Sequence, residues 1–172
     1  MAGMIRMSGK VHILVAMERE GEALGFPFDV VGIGATSLPP INPDDIIINV
    51  GYCGGDGFAP GTIVEPKAVI DATTGEWIDL PRHFPCQGSV CVTSPTFVTA
   101  PLVSPPAVYD MELAKLARIP CAGLYYLKIV SDNLNEEACE GFHSDAAWAQ
   151  IRAFLSTSGL IVNHAGNTPA GG

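Results

Sequence analysis

Apolar runs of strand length recur along this chain, separated by charged, glycine-rich or proline-rich punctuation. Val11 to Met17 (VHILVAM) is almost continuously apolar with β-branched members, which is the pattern of a strand covered on both faces. It ends in Glu18, Arg19 and Glu20, where the strand would leave its sheet. Ile46 to Val50 (IIINV) repeats the pattern and feeds a predicted glycine-rich turn, Gly51 to Gly55. Thr62 to Val64, Ala68 to Asp71, Ser89 to Thr93 and Gly123 to Ser131 are further strands, broken by Pro66, Gly75, Pro81, Pro85 and Gly88. Val108 to Ile119 has no internal Gly or Pro. Val108, Met111 and Leu116 share an apolar side, Lys115 and Arg118 stay polar, and Pro120 stops the run, so this segment predicts a helix. Ser144 caps a last helix in which Ala147, Ile151, Phe154 and Leu155 recur at helical spacing. Ser94 to Pro106 holds four prolines and reads as an extended loop.

Strands alternating with helices predict one α/β domain over residues 1–172: three α/β/α layers around a mixed central sheet. Its ordered core runs over residues 11–165, with a frayed tail from Gly166 to Gly172. A chain of this length buries roughly 70% of its unfolded surface, enough for a core without staples. Residues are 48% hydrophobic and 16% charged, which excludes disorder and leaves apolar surface for a subunit interface. A net charge of −9 repels phosphate backbones and anionic membranes, so neither nucleic acid nor membrane is an expected partner. No apolar run approaches the ~20 residues that span a bilayer, and Met1 to Lys10 does not read as a secretion signal, so a cytoplasmic protein is expected. Cys53, Cys86, Cys91, Cys121 and Cys139 are odd in number and form no CxxC pair, so they read as reduced, compact apolar residues. His12, His83, His143 and His164 show no metal-binding spacing, and no metal or other cofactor is expected.

The candidate chemistry lies in carboxylates at the ends of apolar runs: Glu18 and Glu20, Asp110 and Glu112, and Asp132. In open α/β sheets, ligands collect beyond the carboxyl ends of strands, so acids there converge on a crevice. Position alone equally fits acids that complement helix dipoles.

The stretches AMERE (16–20), VGIG (31–34), PDDIIINVGYCGG (43–55), TF (96–97), VYDMELAKLA (108–117) and KIVSDN (128–133) resemble, in order, the motifs of the nucleoside phosphorylase superfamily. The nearest resemblance is to its hydrolytic branch, the methylthioadenosine/S-adenosylhomocysteine nucleosidases, with this chain a shortened member. The resemblance implies hydrolysis of the N-glycosidic bond of a purine nucleoside, with no cofactor. Relatives are commonly oligomers, and a homo-oligomer is expected, a dimer first.

The resemblance makes Asp132 the general acid that protonates the departing base; burial at a strand end disfavours the charged form of a carboxyl, which suits a proton donor. It makes Glu20 the acid that orients or deprotonates water, with Lys128 its ion-pair partner. Strand alternation would point Lys128 and Asp132 the same way. Glu112 would accept hydrogen bonds from the ribose hydroxyls, Met111 would lie under the sugar, and Phe97 and Val98 would hold the base, with Met17 and Ile33 as further walls. On the residues alone, Asp132 also fits a helix cap, Lys128 a surface lysine, and Met111, Phe97, Met17 and Ile33 ordinary core.

The strand before the glycines ends in Asn49 and Val50, without the arginine that phosphorylases use for phosphate, and acids follow the first strand. Water is therefore expected over phosphate as nucleophile. A phosphorylase and a catalytically silent nucleoside-binding module are the alternatives. Tyr52 departs from the family's small hydroxyl residue and could fill the space beside the nucleophile. The segments between Glu20 and Gly32 and between Val98 and Val108 are short.

Overall fold

The computed structural model describes residues 9–161. The first half of the chain forms β1 (Val11–Val15), α1 (Glu18–Leu24), β2 (Asp29–Val30), β3 (Ile46–Asp56) and β4 (Ile63–Asp71). The second half adds β5 (Trp77–Asp79), β6 (Gln87–Thr93), β7 (Ala107–Asp110), α2 (Leu113–Ala117), β8 (Gly123–Asp132), α3 (Glu136–Gly141) and α4 (Asp145–Thr157).

The fold is mixed α/β, and its sheet closes on itself. Five strands form a ring in the order β3, β7, β6, β4, β8 and back to β3. The seam is the antiparallel pairing of Ile63 with Ile129 and Val64 with Lys128. β1 and β2 extend outward from the first half of β3, and β5 from β4. Closure leaves the ring strands no free edge.

The predicted layering holds where β1 and β3 lie side by side. Ile47 and Leu14 face one way, against Val31, Ala35 and Leu116 of α2. Ile13, Val15, Ile48 and Val50 face the other way, against Trp148, Ile151 and Leu155 of α4. Burying each such side chain stabilises the fold by roughly 1.5–3 kcal/mol, which is why the apolar run of β3 has no polar face. A third cluster fills the ring, with Cys53, Val64, Val69, Cys91, Val108, Tyr126 and Val130 joined by Leu113 and Ala114. Flat layers thus describe only part of the molecule.

Two predicted elements are different. Val108 to Ile119 is not one helix: Ala107–Asp110 is a strand, and α2 starts only at Leu113. The strand wins because it supplies hydrogen-bond partners to β6 from Val90 to Thr93 and to β3 from Gly54 to Asp56. Val108 and Leu116 are both buried, so a helical period fits them by coincidence. Gly51 to Gly55 is not a turn but the continuation of β3, paired with β8 as far as Gly54 and with β7 from Gly54 on. The two predicted strands around Pro66 are one, β4, with a register shift between Pro66 and Ala68. The short β2, β5 and α3 carry too few residues to show a period.

The last helix is as expected at its cap, where Ser144 Oγ accepts the Ala147 N–H at 3.2 Å. Ser94 to Pro106 contains no helix or strand. All five cysteines are free. No described helix is long and apolar enough to cross a membrane. The tail from Gly166 and His164 lie outside the described residues.

Candidate active site

Three strands end around one hollow. β1 delivers Met17 and α1, β7 delivers Asp110 to Glu112, β8 delivers Asp132, and the middle of β3 forms the floor.

Glu20 is the third residue of α1 and is almost completely buried. Its Oε1 accepts the Met17 N–H at 2.9 Å and its Oε2 accepts the Tyr52 N–H at 2.7 Å. Burial pushes its pKa above the ordinary carboxylate value, and the two backbone donors and Lys128 offset this only in part. Gly51 leaves room beneath it: a Cβ there would lie 2.6 Å from Oε2, so the carboxylate would have to shift.

Asp132 ends β8, and the strand bulges just before it. Cys53 pairs with Val130 but Gly54 pairs with Asp132, leaving Ser131 as the extra residue. Simple alternation therefore does not carry from Lys128 to Asp132. Asp132 Oδ1 accepts the Ser131 hydroxyl at 2.7 Å, and Oδ2 accepts the Asn135 N–H at 2.9 Å. The cap of α3 is Asn135, whose own side chain accepts from Ala138 N, so Asp132 is not that cap.

Glu112 Oε2 accepts the Gly34 N–H at 3.0 Å. Gly34 has φ +80°, a left-handed conformation that glycine adopts without strain, and it belongs to the VGIG stretch. Burial and then the neighbouring Asp110 carboxylate raise the Glu112 pKa to about 7.

Lys128 does not pair with Glu20. Its Nζ donates to Asn49 Oδ1 at 2.7 Å and lies 3.1 Å from Asp110 Oδ2. Burial works against its charge, but Asp110 and Glu112 outweigh that and raise its pKa. Glu20 has a backbone donor on each oxygen instead, and Asp110 and Asn49 take the Lys128 ammonium.

Glu20, Glu112, Asp132, Met17, Ile33, Phe97 and Met111 all line a single cavity of about 190 Å³. Val98 borders a 30 Å³ annex that shares Phe97 and Met111 with it. Lys128 lies outside the walls. Tyr52 lines the cavity but does not plug it with its hydroxyl, which accepts the Trp148 indole N–H at 2.9 Å on the α4 side. Sequence reasoning missed Arg19, Tyr109, Cys139, Glu136 and Glu140, all in the wall. Arg19 lies 4.7 Å over the Tyr52 ring and donates to the carbonyls of Cys139 and Phe142. It stands inside the AMERE stretch, so the signal was adjacent; the α3 residues offered none. A larger open hollow, about 550 Å³, lies beside His83, Phe84, Tyr125 and Phe154, without a carboxylate in its wall. Among the described residues no group of three or more His, Cys, Asp or Glu converges to hold a metal ion.

No protein-family model matches the chain, and no curated protein matches it. Solved structures do. An MTAN of Chlamydia trachomatis bound to MTA superposes with a TM-score of 0.64 at 16% identity, over 89% of this chain and 100% of that one. An S-adenosylhomocysteine nucleosidase from Streptococcus pyogenes gives 0.65 at 18% identity, over 90% and 98%. The chain shares the fold of these solved nucleosidase structures. Futalosine hydrolase of Helicobacter pylori is similar in fold as well, with a TM-score of 0.62 at 16% identity over 88% of this chain and 97% of that one. Identities this low show a common fold and leave the chemistry to the cavity itself.

Proposed function

We propose that the protein is a purine nucleosidase, an N-glycosyl hydrolase acting on methylthioadenosine, S-adenosylhomocysteine or a related 5′-substituted nucleoside. The observation that carries this reading is the meeting of Glu20, Glu112 and Asp132 around one cavity. At about 190 Å³ the cavity is below the ~300 Å³ of a typical small-molecule pocket, so a long 5′ substituent such as that of S-adenosylhomocysteine would extend beyond its walls.

In the proposed reaction, the bond between the sugar C1′ and the purine nitrogen breaks, and its electron pair leaves with the base. Asp132 gives its proton to a purine ring nitrogen, turning the base into a neutral leaving group. Positive charge grows on the sugar, where the surrounding carboxylates stabilise it. Water attacks C1′ while Glu20 takes its proton; a carboxylate whose burial favours protonation is a competent acceptor. The products are free base and free sugar. Glu112 accepts from the ribose diol, Met111 lies under the ring, and Phe97 and Val98 hold the base.

Phosphate is the poorer nucleophile for this cavity. Glu20, Asp110, Glu112 and Asp132 line it, and its one basic wall residue among those described, Arg19, is already engaged by two carbonyls. Base release from methylthioadenosine, S-adenosylhomocysteine, adenosine and inosine, with and without phosphate, tests the reading. Release without phosphate is expected. A strict need for phosphate would make the protein a phosphorylase, and saturable binding without release would make it a binding module.

A further inference from the structure

Glu112 occupies the N-cap position of α2 and yet caps nothing with its side chain. The helix's first free N–H groups are taken by residues from elsewhere. Leu113 N donates to Asp110 Oδ2 at 2.8 Å, and Ala114 N donates to Thr93 Oγ1 at 3.0 Å. Thr93 Oγ1 in turn donates to Asp110 Oδ1 at 2.6 Å, and Lys128 Nζ reaches Asp110 Oδ2 at 3.1 Å. Lys128 is fixed from its other side by Asn49, whose amide donates to the Leu14 carbonyl at 3.1 Å. A chain of buried polar groups thus runs from β1 to α2 beneath the cavity.

Short polar side chains at an N-cap position ordinarily fold back onto the N–H groups of their own helix, and the longer Glu112 stands where such a residue would. Here those donors are already satisfied, so the Glu112 carboxylate is left to the cavity and to Gly34. We infer that Asp110, held by Lys128 and Thr93, is a positioning residue that caps α2 in place of Glu112 and thereby keeps Glu112 available to the sugar. This rests on the proposed nucleoside site, and it assigns Lys128 to the sugar side of the reaction rather than to the water side.

The test compares binding of a non-hydrolysable methylthioadenosine analogue with binding of free adenine. Asp110→Ala is combined with Lys128→Met so that no unpaired cation is left buried. The double variant should bind the analogue roughly tenfold or more weakly, the loss of one charged hydrogen bond, with adenine binding unchanged. Restoring an acceptor in Asp110→Asn with Lys128→Met should recover most of that loss. A parallel loss for both ligands, or no loss for the analogue, overturns the inference. In a crystal structure of the alanine variant the Glu112 carboxylate should leave the Gly34 N–H and lie on the vacated Leu113 N–H; an unmoved carboxylate equally overturns the inference. That readout needs no nucleoside, so it separates this inference from the proposed function. If the double variant does not fold, Thr93→Val removes one link more gently and should shift both readouts the same way.

Discussion

Three acidic side chains share one cavity but live in different electrostatic conditions, and each condition suggests its own measurement. Replacing Asp132 by Asn keeps the acceptor for the Asn135 N–H but removes the group that donates the proton in the proposed reaction. Turnover should fall by about 10²–10⁴-fold with little change in melting temperature; wild-type turnover would remove Asp132 as the acid. Glu112, raised to about 7, is partly protonated at neutrality, and its carboxylate accepts more hydrogen bonds than its acid form. Nucleoside affinity should therefore strengthen as pH rises from 6 to 8, while adenine affinity follows a flatter course. Isothermal titration across that range checks it, and Glu112→Gln should abolish the difference. The acids themselves were legible from the sequence because each stands at the end of an apolar run. Their partners were not. Lys128 faces Asp110 while Glu20 takes two backbone donors, an arrangement that residue spacing does not reveal.

At the level of elements, the glycines of β3 are there for proximity rather than for a turn. A methyl group at Gly51 would meet Glu20 Oε2 at 2.6 Å, and one at Gly55 would meet Val130 Cγ1 at 2.7 Å. Gly51→Ala should therefore push the Glu20 carboxylate off the Tyr52 N–H and suppress hydrolysis, with adenine binding largely kept; unchanged turnover would show that α1 can yield. The glycine cluster was read as a turn because strand-interior glycine is uncommon, and only pairing with β8 shows why it is tolerated here. The same kind of ambiguity concealed β7. Four residues supply at most two strand periods, and the helix behind them continues the apolar pattern without a break. Elements with long apolar runs, β1, the first half of β3 and β8, were recoverable because burial on both faces leaves no other reading.

For the molecule as a whole, burial of some acids and hydrogen bonding of another make stability depend on pH from two sides. Glu20 and Glu112 have raised folded-state pKa values. The stability they contribute is complete below their ordinary value of 4.5 and is lost as pH rises, through about 7 for Glu112. Asp45 is the reverse case. Backbone N–H groups of Asn42 and Lys10, and His12, hold its carboxyl down at about 2, so its contribution is present above 3.8 and lost as pH falls toward 2. The melting temperature should peak at mildly acidic pH and decline toward pH 8; Glu112→Gln should flatten the alkaline limb and Asp45→Asn the acid one. A peak at pH 8 would contradict this. The mixed α/β class was readable from alternating elements, whereas the closed ring was not. Closure depends on the seam between β4 and β8, formed by residues far apart in the chain with no local signature.

The hydrogen bond from Trp148 to Tyr52 gives the protein an optical reporter of its own. Of its two tryptophans, Trp77 is 53% exposed at an outer strand, while Trp148 is 1% exposed and bonded to a ring that borders the cavity. Iodide should quench Trp77 and spare Trp148, so the remaining blue-shifted emission follows occupancy of the cavity without any label.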